Sequence, residues 1–200
     1  MYSLILDSST KVLYVSLVND DKIIYEKYIE GKNDHAKNIV FIVDEALKTA
    51  NIEAFNLDKV IVGYGPGSYT GVRMAVTVAK MISVFAKIKL YTISSLLLMA
   101  SGEKSVVKAS IDARRGNAFS AVFDIKNDKV LLEEGMYPYE KLNEYEGATV
   151  TEEKYNVDPL YVINHANLVD EPHLLVPNYL RDTEAERNLK WLGNLIRMIF

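Results

Sequence analysis

Gly65-Pro66-Gly67-Ser68-Tyr69-Thr70-Gly71 is the stretch on which the reading of this chain turns. Before it, Val60-Ile61-Val62-Gly63-Tyr64 is a β-branched run of the kind that forms a buried strand. After it, Val72 to Lys87 contains no Pro or Gly and reads as a helix. The stretch is therefore a tight turn from a strand end into a helix start. Its glycines permit backbone angles and close approaches that a Cβ would block. Ser68 and Thr70 are both candidate helix N-caps. A helix N-terminus attracts anions, and the same turn can bring two backbones together; both uses stay open. The lysine of a phosphate-binding P-loop is missing, Val72 standing in its place, and the glycine spacing is not that of a dinucleotide fingerprint.

The rest of the chain is laid out around this turn. Ser3 to Leu6 forms a strand ending at Asp7, followed by Ser8-Ser9-Thr10-Lys11 as a turn. Strands follow at Val12–Val18 and Ile23–Ile29, joined by an Asn19-Asp20-Asp21-Lys22 turn. A helix runs from His35 to Ala50, a short strand covers Lys89–Thr92, and Ser94-Ser95 caps a short helix from Leu96 to Ala100. At Val106 the pattern restarts. Ala109-Ser110-Ile111-Asp112 repeats Leu4-Ile5-Leu6-Asp7, and at one constant offset Tyr14 matches Phe119 and Val18 matches Phe123. A repeated three-strand meander implies two related halves, divided as residues 1–101 and 102–200, in an α/β architecture with a cleft between them. Beyond Tyr137, Ala148–Val150 and Leu160–Ile163 read as short strands. The tail reads as an amphipathic helix from Glu184 to Phe200, with Leu189, Leu192, Leu195, Ile196 and Ile199 on its stripe.

Composition narrows the function classes. The chain has 200 residues, a net charge of −4 and no cysteine. Disulfides, thiolate metal sites and cysteine nucleophiles are thereby excluded. No basic stripe suited to gripping nucleic acid alone is present. No apolar run approaches the roughly 20 residues of a membrane span, and the first residues read as strand, not signal peptide. A cytoplasmic protein is expected.

Two helices carry surplus apolar surface. The first has a core stripe of Ala36, Ile39, Val40, Val43, Ala46, Leu47 and Ala50, with Phe41 on the opposite side. The second presents small residues on one face (Val72, Ala75, Val76, Ala79, Ser83, Ala86) and Met74, Val78, Met81 and Phe85 on the other. A helix apolar on two faces is buried on both. The second face is covered either by the chain's own second half or tail helix, or by a partner's helices.

The chemistry-bearing residues are sparse. Asp7, Ser9 and Thr10 follow a strand, and Asp112 and Arg114 hold the matching place in the second half. With Gly65, Gly67 and Ser68 they are candidate anion or nucleotide contacts. Alternatively, Asp7 caps its own turn and Asp112 pairs with an arginine. His35, His165 and His173 have no metal-ligand spacing, and no serine stands in a nucleophile elbow.

The chain resembles the TsaB (YeaZ) family. The resemblance rests on Ile5-Leu6-Asp7-Ser8-Ser9-Thr10, His35 at a helix start, and Gly65 to Gly71 running on through Val72-Arg73. Ser94-Ser95-Leu96, Ile111-Asp112-Ala113-Arg114-Arg115-Gly116 and Pro177-Asn178-Tyr179-Leu180-Arg181 complete it in order. It implies an actin/hexokinase/Hsp70-like (ASKHA) fold of two RNase-H-like halves, the second one reduced here. It implies a non-catalytic subunit for tRNA N6-threonylcarbamoyladenosine (t6A) synthesis at position 37. Such a subunit dimerises with the catalytic subunit TsaD, or with itself when alone, and helps recruit the ATPase TsaE. It meets tRNA only through the complex. TsaD carries a His-x-x-x-His metal pair; here Ile39 follows His35 at the second position, so no metal is expected. The resemblance places the partner surface on the first two long helices, hence His35, Phe41, Met74, Val78, Met81 and Phe85. No cofactor is required, with ATP or ADP at most a weak ligand. The competing readings are an ATP-dependent sugar- or acid-kinase-like enzyme of the same fold, and a peptidase.

Overall fold

A computed structural model describes residues 1–31 and 35–180, the side chains of 35–37 excepted. The expected tail helix lies outside the described residues, as does the side chain of His35. The first lobe opens with a meander, β1 (Tyr2–Asp7), β2 (Val12–Asn19) and β3 (Lys22–Glu30). It continues through α1 (His35–Thr49), β4 (Lys59–Gly63), α2 (Tyr69–Ala86), β5 (Lys89–Ile93) and α3 (Ser95–Ala100). The second lobe repeats the meander as β6 (Val106–Arg114), β7 (Asn117–Asp124) and β8 (Lys129–Pro138), followed by β9 (Ala148–Thr151) and α4 (Pro159–His165). A two-residue strand, β10 (Asn167–Leu168), returns to the first sheet. The strand orders β10-β5-β4-β1-β2-β3 and β8-β7-β6-β9 contain the same motif, an antiparallel meander whose first strand pairs in parallel with the fourth. Among the described residues no helix is long and apolar enough to cross a membrane.

Two layers of core follow from the period-2 alternation of β1 and β2. Leu4, Leu6, Leu13, Val15 and Leu17 point to one face and are covered by α1 and α2. Ile5, Val12 and Tyr14 point to the other, where they share one core with α3, α4 and the second sheet. The two lobes therefore have a common interior. Hydrogen bonds reinforce it: Val157 N donates to Tyr28 Oη, Thr10 Oγ1 lies 3.1 Å from Tyr155 Oη, and Asp158 N donates to Ser101 Oγ.

Three sequence expectations are corrected. Leu160–Ile163 lies in helix α4, not in a strand, because Asp158 accepts from Leu160 N and Tyr161 N and Pro159 occupies the first helical turn. Val40 leaves the α1 core stripe and is 61% exposed; Ile42 is buried in its stead. The repeat also slips by one residue. Asp7 pairs with Tyr14, but Asp112 pairs with Ala118, because the β6–β7 connection is shorter and Ala113 bulges. Consequently Asp7 shares the inner face with Ile5, whereas Asp112 points away from Ile111, a member of the shared core.

The glycine turn is a site of close backbone packing. A Cβ on Gly71 would lie 1.9 Å from the Ser8 carbonyl oxygen, and one on Gly67 2.4 Å from that of Ser9. Ser68 N donates to Ser9 O, and Ser8 Oγ donates to Gly71 O. Ser68 is the N-cap of α2, accepting from Gly71 N. Small residues then seat α2 on the sheet, with Gly71, Val72, Ala75, Val76, Ala79 and Ser83 buried. Gly71→Ala must push α2 off the β1–β2 turn, and we expect a loss of roughly 3 kcal/mol, a fall in Tm of roughly 6–12 °C. Gly116→Ala, whose added Cβ meets nothing within 4 Å, should lose no more than about 1–2 kcal/mol for its left-handed backbone. Thermal denaturation of the two variants separates crowding from backbone strain.

Candidate functional site

The upper edge of the first sheet is organised by one buried carboxylate. Asp7 Oδ1 accepts from Ser9 N and Ser9 Oγ, and Oδ2 accepts from Ser95 Oγ at 2.7 Å. Ser95 Oγ in turn accepts from Gly65 N. Asp7 is fully buried and does not line the cleft. A Cβ on Gly63 would fall 1.8 Å from Asp7 Oδ2, so this glycine leaves the space that the carboxylate fills. Burial pushes the Asp7 carboxyl up to about 6, against the hydrogen bonds from Ser95 and Ser9 that pull it down.

The cleft lies between the β1–β2 turn and the glycine turn on one side and the end of β6 and the Glu152-Glu153 turn on the other, with a volume of about 1120 Å³. Of the candidate anion contacts, Ser9, Thr10, Gly67, Ser68, Asp112 and Arg114 line it; Asp7 and Gly65 do not. The lining groups are already engaged. Ser9 Oγ bonds Asp7, Ser68 Oγ caps α2, and Thr10 Oγ1 bonds its own turn and Tyr155. Lys11 spans the cleft to Glu152 at 3.1 Å and Glu153 at 2.6 Å. Arg114 sits 3.7 Å from Asp112. Glu30 adds a further acid to the lining. The arrangement is a pair of lobes tied together across an acidic cleft, and the two cations among the described lining residues, Lys11 and Arg114, each lie beside a carboxylate. The Lys11 clasp and the Ser95 partner were not foreseen from sequence; Ser95 bonds a residue 88 positions away, and no local pattern marks it.

On the outer side of the first lobe, Phe41 is 66%, Met81 53% and Phe85 81% exposed, while Met74 and Val78 are half-buried. Val78 packs on the core beneath α1 and α2. Glu45 pairs with Lys27 of β3 at 2.8 Å, so that flank of α1 faces β3, and Phe41, one turn earlier, lies on it. Val40 and Leu47 are on the opposite flank, toward α2. Val40 and Val84 thus join the exposed apolar surface, and a helical wheel centred on Ile39, Ile42 and Ala46 would have placed Val40 there.

The most distant motifs of the chain meet at the N-terminus of α2. Arg73 Nε donates to Tyr179 Oη at 2.8 Å, and its guanidinium lies 4.4 Å from the centre of the Tyr69 ring. Asn178 N donates to Tyr64 O, and Lys80 Nζ donates to the carbonyls of His173 and Leu175. The segment after β10 is thereby strapped along α2.

The raised pKa of Asp7 fixes a sign. Well below pH 4 the group is protonated in both folded and unfolded chains; well above 6 it is ionised in both, and the buried charge is unfavourable. Stability from this group is therefore greatest at low pH and falls as pH rises through the window. Relative to Asp7→Asn, the wild type should lose about 2 kcal/mol between pH 4 and 6.5. Urea denaturation of both proteins across that range measures it, and parallel curves would refute the assignment.

Comparison with known proteins adds the family. The profile described as "TsaD: tRNA N6-adenosine threonylcarbamoyltransferase" matches residues 29–168. The chain is 32% identical over 130 residues to the tRNA threonylcarbamoyladenosine biosynthesis protein TsaB of Bacillus subtilis (strain 168), covering 64% of this chain and 57% of that protein. It is 30% identical over 129 residues to TsaB of Escherichia coli (strain K12), covering 62% and 55%. The matched stretch thus spans little more than half the length of these curated relatives. In structure, YeaZ from Pseudomonas aeruginosa superposes with a TM-score of 0.74 at 20% identity, covering 90% of this chain and 99% of that one; this similarity bears on the fold, which is the two-lobed ASKHA type. On the profile match, the TsaB relatives and the shared fold, the chain belongs to the TsaB (YeaZ) family.

Proposed function

We propose that this chain is a non-catalytic subunit of a tRNA t6A-modifying complex, docking onto TsaD through the α1–α2 face and helping to recruit TsaE. The observation that carries the reading is the exposure of Met81, Val84 and Phe85 on α2 and of Val40 on α1, with Met74 and Val78 of α2 half-buried. An apolar surface of this kind on a folded chain marks a protein contact, and methionines adapt well to a facing helix. In the absence of TsaD the same surface pairs two copies of the chain.

The engaged state of the cleft supports a subunit that needs no nucleotide of its own. Its hydroxyls bond within the fold, its lysine bonds two glutamates, and its acids repel phosphate. The kinase reading requires those groups to be released together. Among the described residues no three His, Cys, Asp or Glu side chains are grouped to hold a metal, so a metallopeptidase mechanism has no support in them.

Met81→Asp and Phe85→Asp test the docking surface. Both positions are exposed, so Tm should stay within about 2 °C, while affinity for the cognate TsaD falls about 100-fold or more. Co-purification with TsaD reads the affinity, and t6A formation with and without the chain reads its necessity. Full modification in its absence would sink the proposal. ATP titrated calorimetrically, with and without magnesium, should bind no tighter than millimolar; micromolar binding would return the kinase reading.

A further inference from the structure

The β6–β7 hairpin breaks a local rule at the rim of the cleft. Arg114 pairs with Asn117, leaving Arg115-Gly116 as a two-residue loop. Arg114, Arg115 and Gly116 all have left-handed backbone, with φ of 69°, 57° and 77°. Loops of this kind select Asn-Gly or Asp-Gly, because an ordinary side chain is disfavoured there. Elsewhere among the described residues the left-handed non-glycine positions are Asp20, Asn51 and Asp128, which tolerate it, and Lys87, which closes α2. Two adjacent arginines in this conformation are held against local preference, which points to a use for their side chains.

Those side chains are presented outward. Arg114 is 84% exposed, Arg115 is exposed, and the space beside Gly116 is open. Arg114 has one loose carboxylate contact, Asp112 Oδ2 at 3.7 Å, while Asp112 Oδ1 accepts from Arg114 N and Glu152 accepts from Asp112 N and pairs with Lys11. Tyr139 donates its backbone N–H to Gly116 O, and its side chain is exposed next to the hairpin. Two exposed guanidinium forks suit phosphate oxygens, and the exposed ring of Tyr139, whose backbone is bonded to the hairpin, suits a stacked base. An acidic protein partner would use the arginines but not the ring.

We propose that the Arg114–Arg115 tip, with Tyr139, contacts the phosphate backbone of the RNA substrate. The proposal rests on the reading above that the chain works within a tRNA-modifying complex. The chain carries a net charge of −4, so the contact is local and adds to RNA binding by the rest of the complex.

The test uses the full chain assembled with cognate TsaD and TsaE, with tRNA affinity read by fluorescence anisotropy between 50 and 200 mM salt. The Arg114→Asn/Arg115→Asn variant should bind tRNA roughly 5- to 20-fold more weakly at the lowest salt. Its log–log salt slope should be shallower by about 1–2, the loss of one or two phosphate contacts. Its Tm should equal or exceed that of the wild type, since Asn suits the left-handed positions. Arg114→Lys/Arg115→Lys should retain the wild-type slope. Unchanged tRNA affinity in the Asn variant, within a complex whose modification depends on the wild-type chain, overturns the hairpin proposal alone. Loss of TsaD co-purification or a fall in Tm also overturns it, by making the arginines a protein contact or a structural element. A complex that modifies tRNA fully without the chain overturns the parent reading and the hairpin proposal with it.

Discussion

The carboxylate of Asp7 is the point to which the upper edge of the first sheet is fastened. Through Ser9 it shapes the β1–β2 turn; through Ser95 it reaches α3, and through Ser95 again the amide of Gly65. A buried charge with this many donors is tolerated because each hydrogen bond offsets part of its desolvation. Its position then forces a glycine at 63, where no Cβ could coexist with Oδ2. The glycines at 67 and 71 follow from the same compaction, since the turn they belong to is pressed against the Ser8–Ser9 backbone. What resembles a phosphate loop in sequence is thus a clamp between two pieces of backbone.

That clamp links the inside of the fold to its outside. With α2 held close by Gly71, Ala75 and Ala79, the residues half a turn away cannot also be buried against the sheet. Met81 and Phe85 are left in solvent as a geometric consequence of how tightly the opposite face packs. The shared interior of the two lobes acts in the same direction. Ile5 and Tyr14 sit in one core with Val107, Ile111 and Tyr155, and the Lys11 clasp crosses the cleft above it. The two lobes are thus joined both through their common core and by the Lys11 ion pairs.

Much of this was legible in the chain. The meander, its repeat, the strand–turn–helix at Gly65 and the two-faced character of α2 all follow from periodicity and glycine placement. The misreadings have physical origins. The constant offset between the halves hid a one-residue slip, because a bulge at Ala113 shifts pairing without disturbing the sequence match. Leu160–Ile163 looked like a strand because four apolar residues carry no period; the cap at Asp158 and the proline after it decide for helix. Val40 looked like core because its neighbours are. The partners of Asp7 and Lys11 come from the third helix and the second lobe, and long-range pairs of that sort leave no trace in local pattern.

The two-residue strand β10 has an effect out of proportion to its length. It lies along the outer side of β5, so the first sheet ends on that side in a stub too short to recruit another strand. At the opposite border, β3 presents Lys22, Glu26, Lys27 and Glu30, charges that oppose edge-to-edge pairing. With both borders of the first sheet made unattractive to strands, the most exposed of the large apolar side chains among the described residues, Phe85, sits on a helix.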